Sequence, residues 1–131
     1  MKIDISTGEL VDKVTILAIK LEKISDPSKV KNIQREYELL LKPMGGCGIG
    51  IDSEAFLALK EVNLKLWDIE DRIRIKEAEK KFDSEFIELA RCVYFTNDER
   101  AAIKKRINLA TDSELVEEKE YVDYAVDKTC L

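Results

Sequence analysis

The sequence predicts an all-α fold: a helical bundle made of an N-terminal helical hairpin, a glycine-rich connector and a long central helix. Three observations carry this. Apolar residues recur at steps of three and four along most of the 131 residues. Only 5 glycines and 2 prolines interrupt them, which favours long elements over many turns. Capping signals stand where the apolar stripes begin.

The first element opens at Ser6. With Glu9 three residues on, it forms a capping box in which each side chain satisfies a free backbone amide of the other residue. Leu10, Val14, Leu17, Leu21 and Ile24 then recur at helical spacing, widened by Val11 and Ala18. Burying five such side chains stabilises by roughly 7–15 kcal/mol before conformational entropy is subtracted. The helix therefore needs partners. Ser25-Asp26-Pro27-Ser28 ends it and starts a second, with Pro27 at a first helical position. Val30, Ile33, Tyr37 and Leu40 form the second stripe.

Residues 42–53 hold four of the five glycines and are expected to form a flexible loop. The long helix is expected from Ser53 to Lys80, on Leu59, Val62, Leu66, Ile69 and Ile73. Phe82 and Asp83-Ser84 mark a turn and a new cap. Phe86, Leu89, Ala90, Val93 and Tyr94 are expected to face a core, followed by Ala101, Ile103 and Ile107. Thr96 with Glu99, and Thr111 with Glu114, match the capping-box letters and predict two further helix starts, the last helix covering 113–125. Residues 126–131 are expected to be a frayed tail. The four-residue alternation at Lys2-Ile3-Asp4-Ile5 is too short to define a strand.

Length fits one domain, 1–131. Hydrophobic residues make up 45% and charged residues 37%, the balance of a folded chain with a heavily charged exterior. The net charge of -5 weakens non-specific nucleic-acid binding, and Lys104-Lys105-Arg106 reads as a solvated face. The 3 cysteines show no CxxC spacing, and there is no histidine. That pattern argues against a zinc site and removes Ser-His or Cys-His nucleophile pairs. With no leader-like start and no long apolar run, a cytoplasmic chain with neither membrane nor nucleic-acid partners is expected. Stripes this long in so short a chain predict a homo-oligomer, a dimer first, and leave room for another protein partner.

Four places carry possible chemistry. The loop Gly45-Gly46-Cys47-Gly48-Ile49-Gly50 lacks the preceding strand that a phosphate loop requires, and it reads as a connector. Cys47 is expected to be exposed, but no neighbouring base supports a nucleophilic role. Glu85 with Glu88, and Glu120 with Asp123, match paired carboxylates at helical spacing, as in all-helical magnesium-dependent nucleotide pyrophosphohydrolases. They are the candidate magnesium ligands of the alternative, enzymatic reading. Asn63, Trp67, Glu70 and Arg74 lie beside the apolar stripe of the long helix. Trp67 reads as packing at a core edge or as a stacking surface for a ligand, and Glu70 pairs with Arg74 one turn on. Arg91 pairs with Glu88 or grips an anion. Asn97, Asp98, Glu99 and Arg100 read chiefly as a helix start, with a possible binding role for Asn97, Asp98 and Arg100 at that corner.

The segments ELVDKVTILAIKLEKI (9–24), LWDIEDRIR (66–74), FIELARCVYFTNDERAAIKKRIN (86–108) and EEKEY (117–121) resemble a family of small, uncharacterised bacterial and phage-encoded helical proteins, known as a domain of unknown function. The resemblance implies no activity, cofactor or site residue. The opening LVDKVTIL is also similar to helical chorismate mutases, which bind a dicarboxylate with cations. That likeness implies a role for Arg72, Arg74 and Arg91, but the Leu-Arg-x-x-Ile-Asp opening and a matching glutamine are absent. The expectation is a helical interaction or accessory module with no catalytic residue and no cofactor. The alternative is a small-molecule enzyme or binder, acting through magnesium-bound carboxylates or through arginines.

Overall fold

The computed structural model describes residues 1–124 and Cys130. Four helices follow in order: α1 (Thr7–Lys23), α2 (Pro27–Gly46), α3 (Glu54–Ala78) and α4 (Ser84–Ala110). Among the described residues there is no strand. α1 packs against α2, α3 and α4, and α3 packs against α4. The first helix, not the longest, is therefore the one enclosed by the others.

Local chemistry sets the starts. Ser6 Oγ accepts from the Glu9 amide at 3.1 Å, as the capping box requires. Asp26 accepts from the amides of Ser28 and Lys29 ahead of Pro27. Ser53 caps α3 through the Phe56 amide, and Asp83 caps α4 through the Phe86 amide. α3 and α4 end alike. The amides of Lys80 and Lys81 return to the carbonyls of Glu77 and Lys76, and those of Asp112 and Ser113 to Leu109 and Asn108. This is the Schellman closure, and it puts Lys80 (φ 54) and Asp112 (φ 51) in the left-handed region that glycine tolerates best.

The main core gathers Leu10, Val11 and Val14 of α1, Met44 of α2, Ile49 of the connector, Phe56, Leu59 and Val62 of α3, and Ile107 of α4. A second, smaller cluster of Ile69, Leu89 and Cys92 sits further along the α3–α4 pair, flanked by Ile73, Val93 and Cys130. A second face of α1 is buried as well. Gly8, Asp12, Thr15 and Ile19 are all inaccessible. At Gly8 the helices cross so closely that an added Cβ would lie 2.5 Å from the Lys104 carbonyl oxygen and 3.0 Å from Asn108 Oδ1. The Gly8 amide donates to that Asn108 oxygen at 2.6 Å.

Several expectations change. α2 runs on through Pro43 to Gly46, so the expected loop over 42–53 begins with a helical turn and shortens to 47–53. Met44, on that extra turn, is 1% exposed, and its burial in the main core holds the turn in place. Residues 84–110 form one helix, so Thr96 starts nothing: it is fully buried inside α4, and Asn97 to Arg100 are helix interior rather than a cap. No Gly or Pro stands between Ser84 and Ala110 to stop the helix. Tyr94 is 47% exposed, while Cys92 and Phe95 take the core positions. Thr111 ends α4 instead of capping a new helix.

The helix expected over 113–125 is absent across its described part. Leu115, Tyr121 and Val122 are exposed, leaving the segment no apolar stripe to dock. Instead it returns along α4. Ser113 Oγ accepts from the Thr7 amide, Glu117 meets Lys104, Glu118 meets Lys105, and the Tyr124 hydroxyl reaches Asp98. The frayed tail expected over 126–131 lies outside the described residues except for Cys130, which is half-buried.

Candidate functional site

The buried charged side chain of α1 is Asp12, 1% exposed. A lone carboxylate there would be strongly destabilising, and two neighbours compensate it. Arg100 of α4 grips it in a fork, Nε to Oδ1 at 2.9 Å and Nη2 to Oδ2 at 2.5 Å. Asn63 of α3 donates through Nδ2 to Asp12 Oδ1 and to Thr15 Oγ1, both at 2.9 Å. The Thr15 hydroxyl donates to the Asp12 carbonyl at 2.7 Å. The Asp12 carboxylate, hydrogen-bonded to Arg100 and attracting it, holds the guanidinium above its ordinary pKa against the opposing effect of burial. A carboxylate, an amide and a guanidinium from three helices thus meet at one point.

Above this point lies a concavity of about 460 Å³, lined by Ile16 and Ile19 of α1, by Asn63, Trp67, Glu70 and Arg74 of α3, and by Asn97 and Arg100 of α4 among others. Six residues singled out in the sequence therefore share one cleft. Its cations are paired: Arg74 with Glu70 on one helix, Arg100 with Asp12. Asn97 Oδ1 lies 3.4 Å from Arg100 Nη1.

Arg91 and Asp98 do not join them. They line a neighbouring concavity of about 620 Å³, walled by Tyr94 and Asn97 of α4 and by Lys119, Tyr121, Val122 and Tyr124 of the returning segment. Asn97 belongs to both. Arg91 pairs with Glu88 at 3.1 Å, as the three-residue spacing predicts, and its guanidinium lies 5.3 Å from the centre of the Phe95 ring. The hydrogen bond to Glu88 raises the Arg91 pKa.

The candidate magnesium ligands are placed apart in role. Glu85 binds Lys76 at 3.0 Å and Arg72 at 3.4 Å, and Glu88 binds Arg91. Glu120 and Asp123 stand on the exposed returning segment, where the three-residue spacing no longer puts two carboxylates on one helix face. Among the described residues no group of three or more carboxylates and thiols comes together. Cys47 is exposed, as expected.

Sequence reasoning missed Asp12, Thr15, Lys104 and Asn108. Lys104, expected on a solvated face, is 8% exposed and sits between Glu9 at 2.7 Å and Glu117 at 3.3 Å. A signal was present. Gly8, Asp12, Thr15 and Ile19 fall on one helical face, and an aspartate between a glycine and an isoleucine on that face marks a buried polar contact.

The chain belongs to the family of unknown function DUF6165, whose model matches residues 1–128. No curated protein and no solved structure matches it.

Proposed function

We propose that this chain is a non-catalytic helical interaction module that pairs with a second copy of itself through the outer part of α3 and α4. One observation carries the reading. Around Ile69, Leu89 and Cys92 the α3–α4 pair has only a small core of its own, while Ile75, Phe82 and Ile87 remain 57%, 56% and 55% exposed. A two-helix arm with so little to bury is stabilised when an antiparallel copy converts it into four helices. The pairing of Arg74 with Glu70, Arg91 with Glu88 and Arg100 with Asp12 supports a structural rather than a catalytic role for those cations. The acidic net charge favours a protein over a nucleic acid as partner, and no helix is long and apolar enough to cross a membrane. The proposed compartment is the cytoplasm.

Sedimentation velocity over a hundredfold concentration range tests the pairing. The expected result is a dimer that dissociates on dilution, shifted toward monomer by Ile87→Ser. A monomer at every concentration overturns it.

A second reading rests on the convergence of Asn63, Trp67, Glu70, Arg74, Asn97 and Arg100 on one cleft. Under it the module holds a small polar ligand, with no metal required. Trp67 is the only tryptophan, so its emission reports on the cleft directly. A saturable change with nucleosides, sugars or dicarboxylates, lost in Asn97→Ala, supports this reading; a flat response across them rejects it.

A further inference from the structure

We propose that Cys92 and Cys130 are a reversible redox pair, closing into an intramolecular disulfide that fastens the C-terminal end of the chain to α4. Such a disulfide would form whether or not two copies pair. Of three cysteines, two that are far apart in sequence lie in one small cluster, and the third, Cys47, is exposed on the connector. Cys130 packs against the cluster that contains the Cys92 thiol, and that thiol contributes to raising the Cys130 pKa. The Cys130 thiol also lies 4.0 Å from Thr96 Oγ1, one helical turn beyond Cys92 on the same face of α4. Ile69, Leu89, Ile73 and Val93 already supply apolar packing there.

Burial decides the order of events. Cys92 is 1% exposed and is screened from any bulky oxidant, whereas Cys130 is half-buried at the edge. With a low-molecular-weight disulfide of the glutathione type as oxidant, Cys130 loses its proton and attacks one sulfur. A mixed disulfide forms and one equivalent of small thiol leaves. Cys92 then loses its proton and attacks the Cys130 sulfur, and a second equivalent leaves. Two protein thiols are oxidised, one small disulfide is reduced to two thiols, and the reverse exchange restores the pair. Burial pushes the Cys130 thiol above its ordinary pKa, so the first step is slow at neutral pH. The pair therefore responds to a sustained change in redox poise rather than to a brief one.

The consequence is local. Lys119, Tyr121, Val122 and Tyr124, which wall the second concavity, precede Cys130 in the sequence. Oxidation ties Cys130 covalently to α4, and reduction leaves it there by noncovalent contacts alone.

The test uses the full chain equilibrated in glutathione buffers of graded poise, quenched with acid and alkylated under denaturing conditions. The expected outcome is a fall from three alkylatable thiols to one, loss of two hydrogens in intact mass, and a cross-linked peptide joining Cys92 to Cys130. The oxidised chain is expected to melt several degrees higher than the reduced chain. Cys47→Ser should fall from two alkylatable thiols to none with the same cross-link, and Cys130→Ser should form no disulfide between its two remaining cysteines. The proposal is overturned if three thiols persist in the most oxidising buffer, if the only products are mixed disulfides, if the link involves Cys47 or a second chain, or if the oxidised and reduced chains melt together.

Discussion

At the inner end of the α3–α4 pair, Val62 and Ile107 are enclosed by α1, which brings α2 and the connector with it. At the outer end, Ile69, Leu89 and Cys92 have two helices and the half-buried Cys130 for cover. The same pair of helices thus passes from a body with a mixed apolar and ionic interior into an arm held largely by its surface. Two sets of ion pairs illustrate the difference. Asp12 and Arg100 join different helices through a buried fork, while near the tip of the arm a partly covered Lys76 pairs with the half-exposed Asp83 and Glu85. Burial, rather than the number of contacts, decides what each group contributes.

The comparison breaks most visibly at Asp12. Asp12→Ala leaves Arg100 mostly shielded and unpaired, at an expected loss of about 4 kcal/mol in urea unfolding. Arg74→Ala, in a pair whose arginine side chain is 70% exposed, is expected to change stability by less than about 0.5 kcal/mol. Equal losses would mean that the fork is solvated. Next come two leucines of matched burial, Leu59 at 0% and Leu89 at 1% exposed. Leu59→Ala should cost about 4 kcal/mol and Leu89→Ala about 2.5 kcal/mol, because the thin arm collapses more readily onto the cavity. Gly8→Ala forces apart the α1–α4 crossing and is expected to cost about 2 kcal/mol, with the arm unaffected in amide exchange.

Smaller still is Lys80→Gly, which relieves a left-handed residue and should stabilise by about 1 kcal/mol. The smallest effect is set by pH. Lys76 holds the Asp83 and Glu85 carboxyls below their ordinary range. Their contribution is therefore complete above the unfolded values of 3.8 and 4.5 and fades as pH falls through the lower folded values. Amide exchange at the start of α4 should accelerate below about pH 4 relative to the body, and added salt should blunt the difference.

Local features of the two regions are legible in the sequence, and long-range ones are not. Ser6, Asp26, Ser53 and Asp83 cap through amides within three residues, so the starts of all four helices are local facts and all four are legible in the sequence. The long stripe of α3 was legible for the same reason. The capping-box letters at Thr96 were misleading because a continuous apolar face overrides a local motif: burying Phe95 and Thr96 outweighs a cap. The segment 113–124 misled in the opposite sense. Its glutamates suit a helix surface, but Lys104 and Lys105 draw Glu117 and Glu118 onto α4. The Asp12 site was hidden because its partner lies 88 residues away, beyond the reach of any periodicity.

That separation bears on the order in which the chain assembles. α3 and α4 are joined by five residues and register against each other through contacts close in sequence, whereas the Asp12–Arg100 fork requires the first helix to find the last. Closing the longer loop costs more entropy before any contact rewards it. The α3–α4 hairpin is thus the expected nucleus, with α1 docking late. Substitutions at Asp12 should then speed unfolding and leave the folding rate nearly unchanged, while those at Leu89 should slow folding itself.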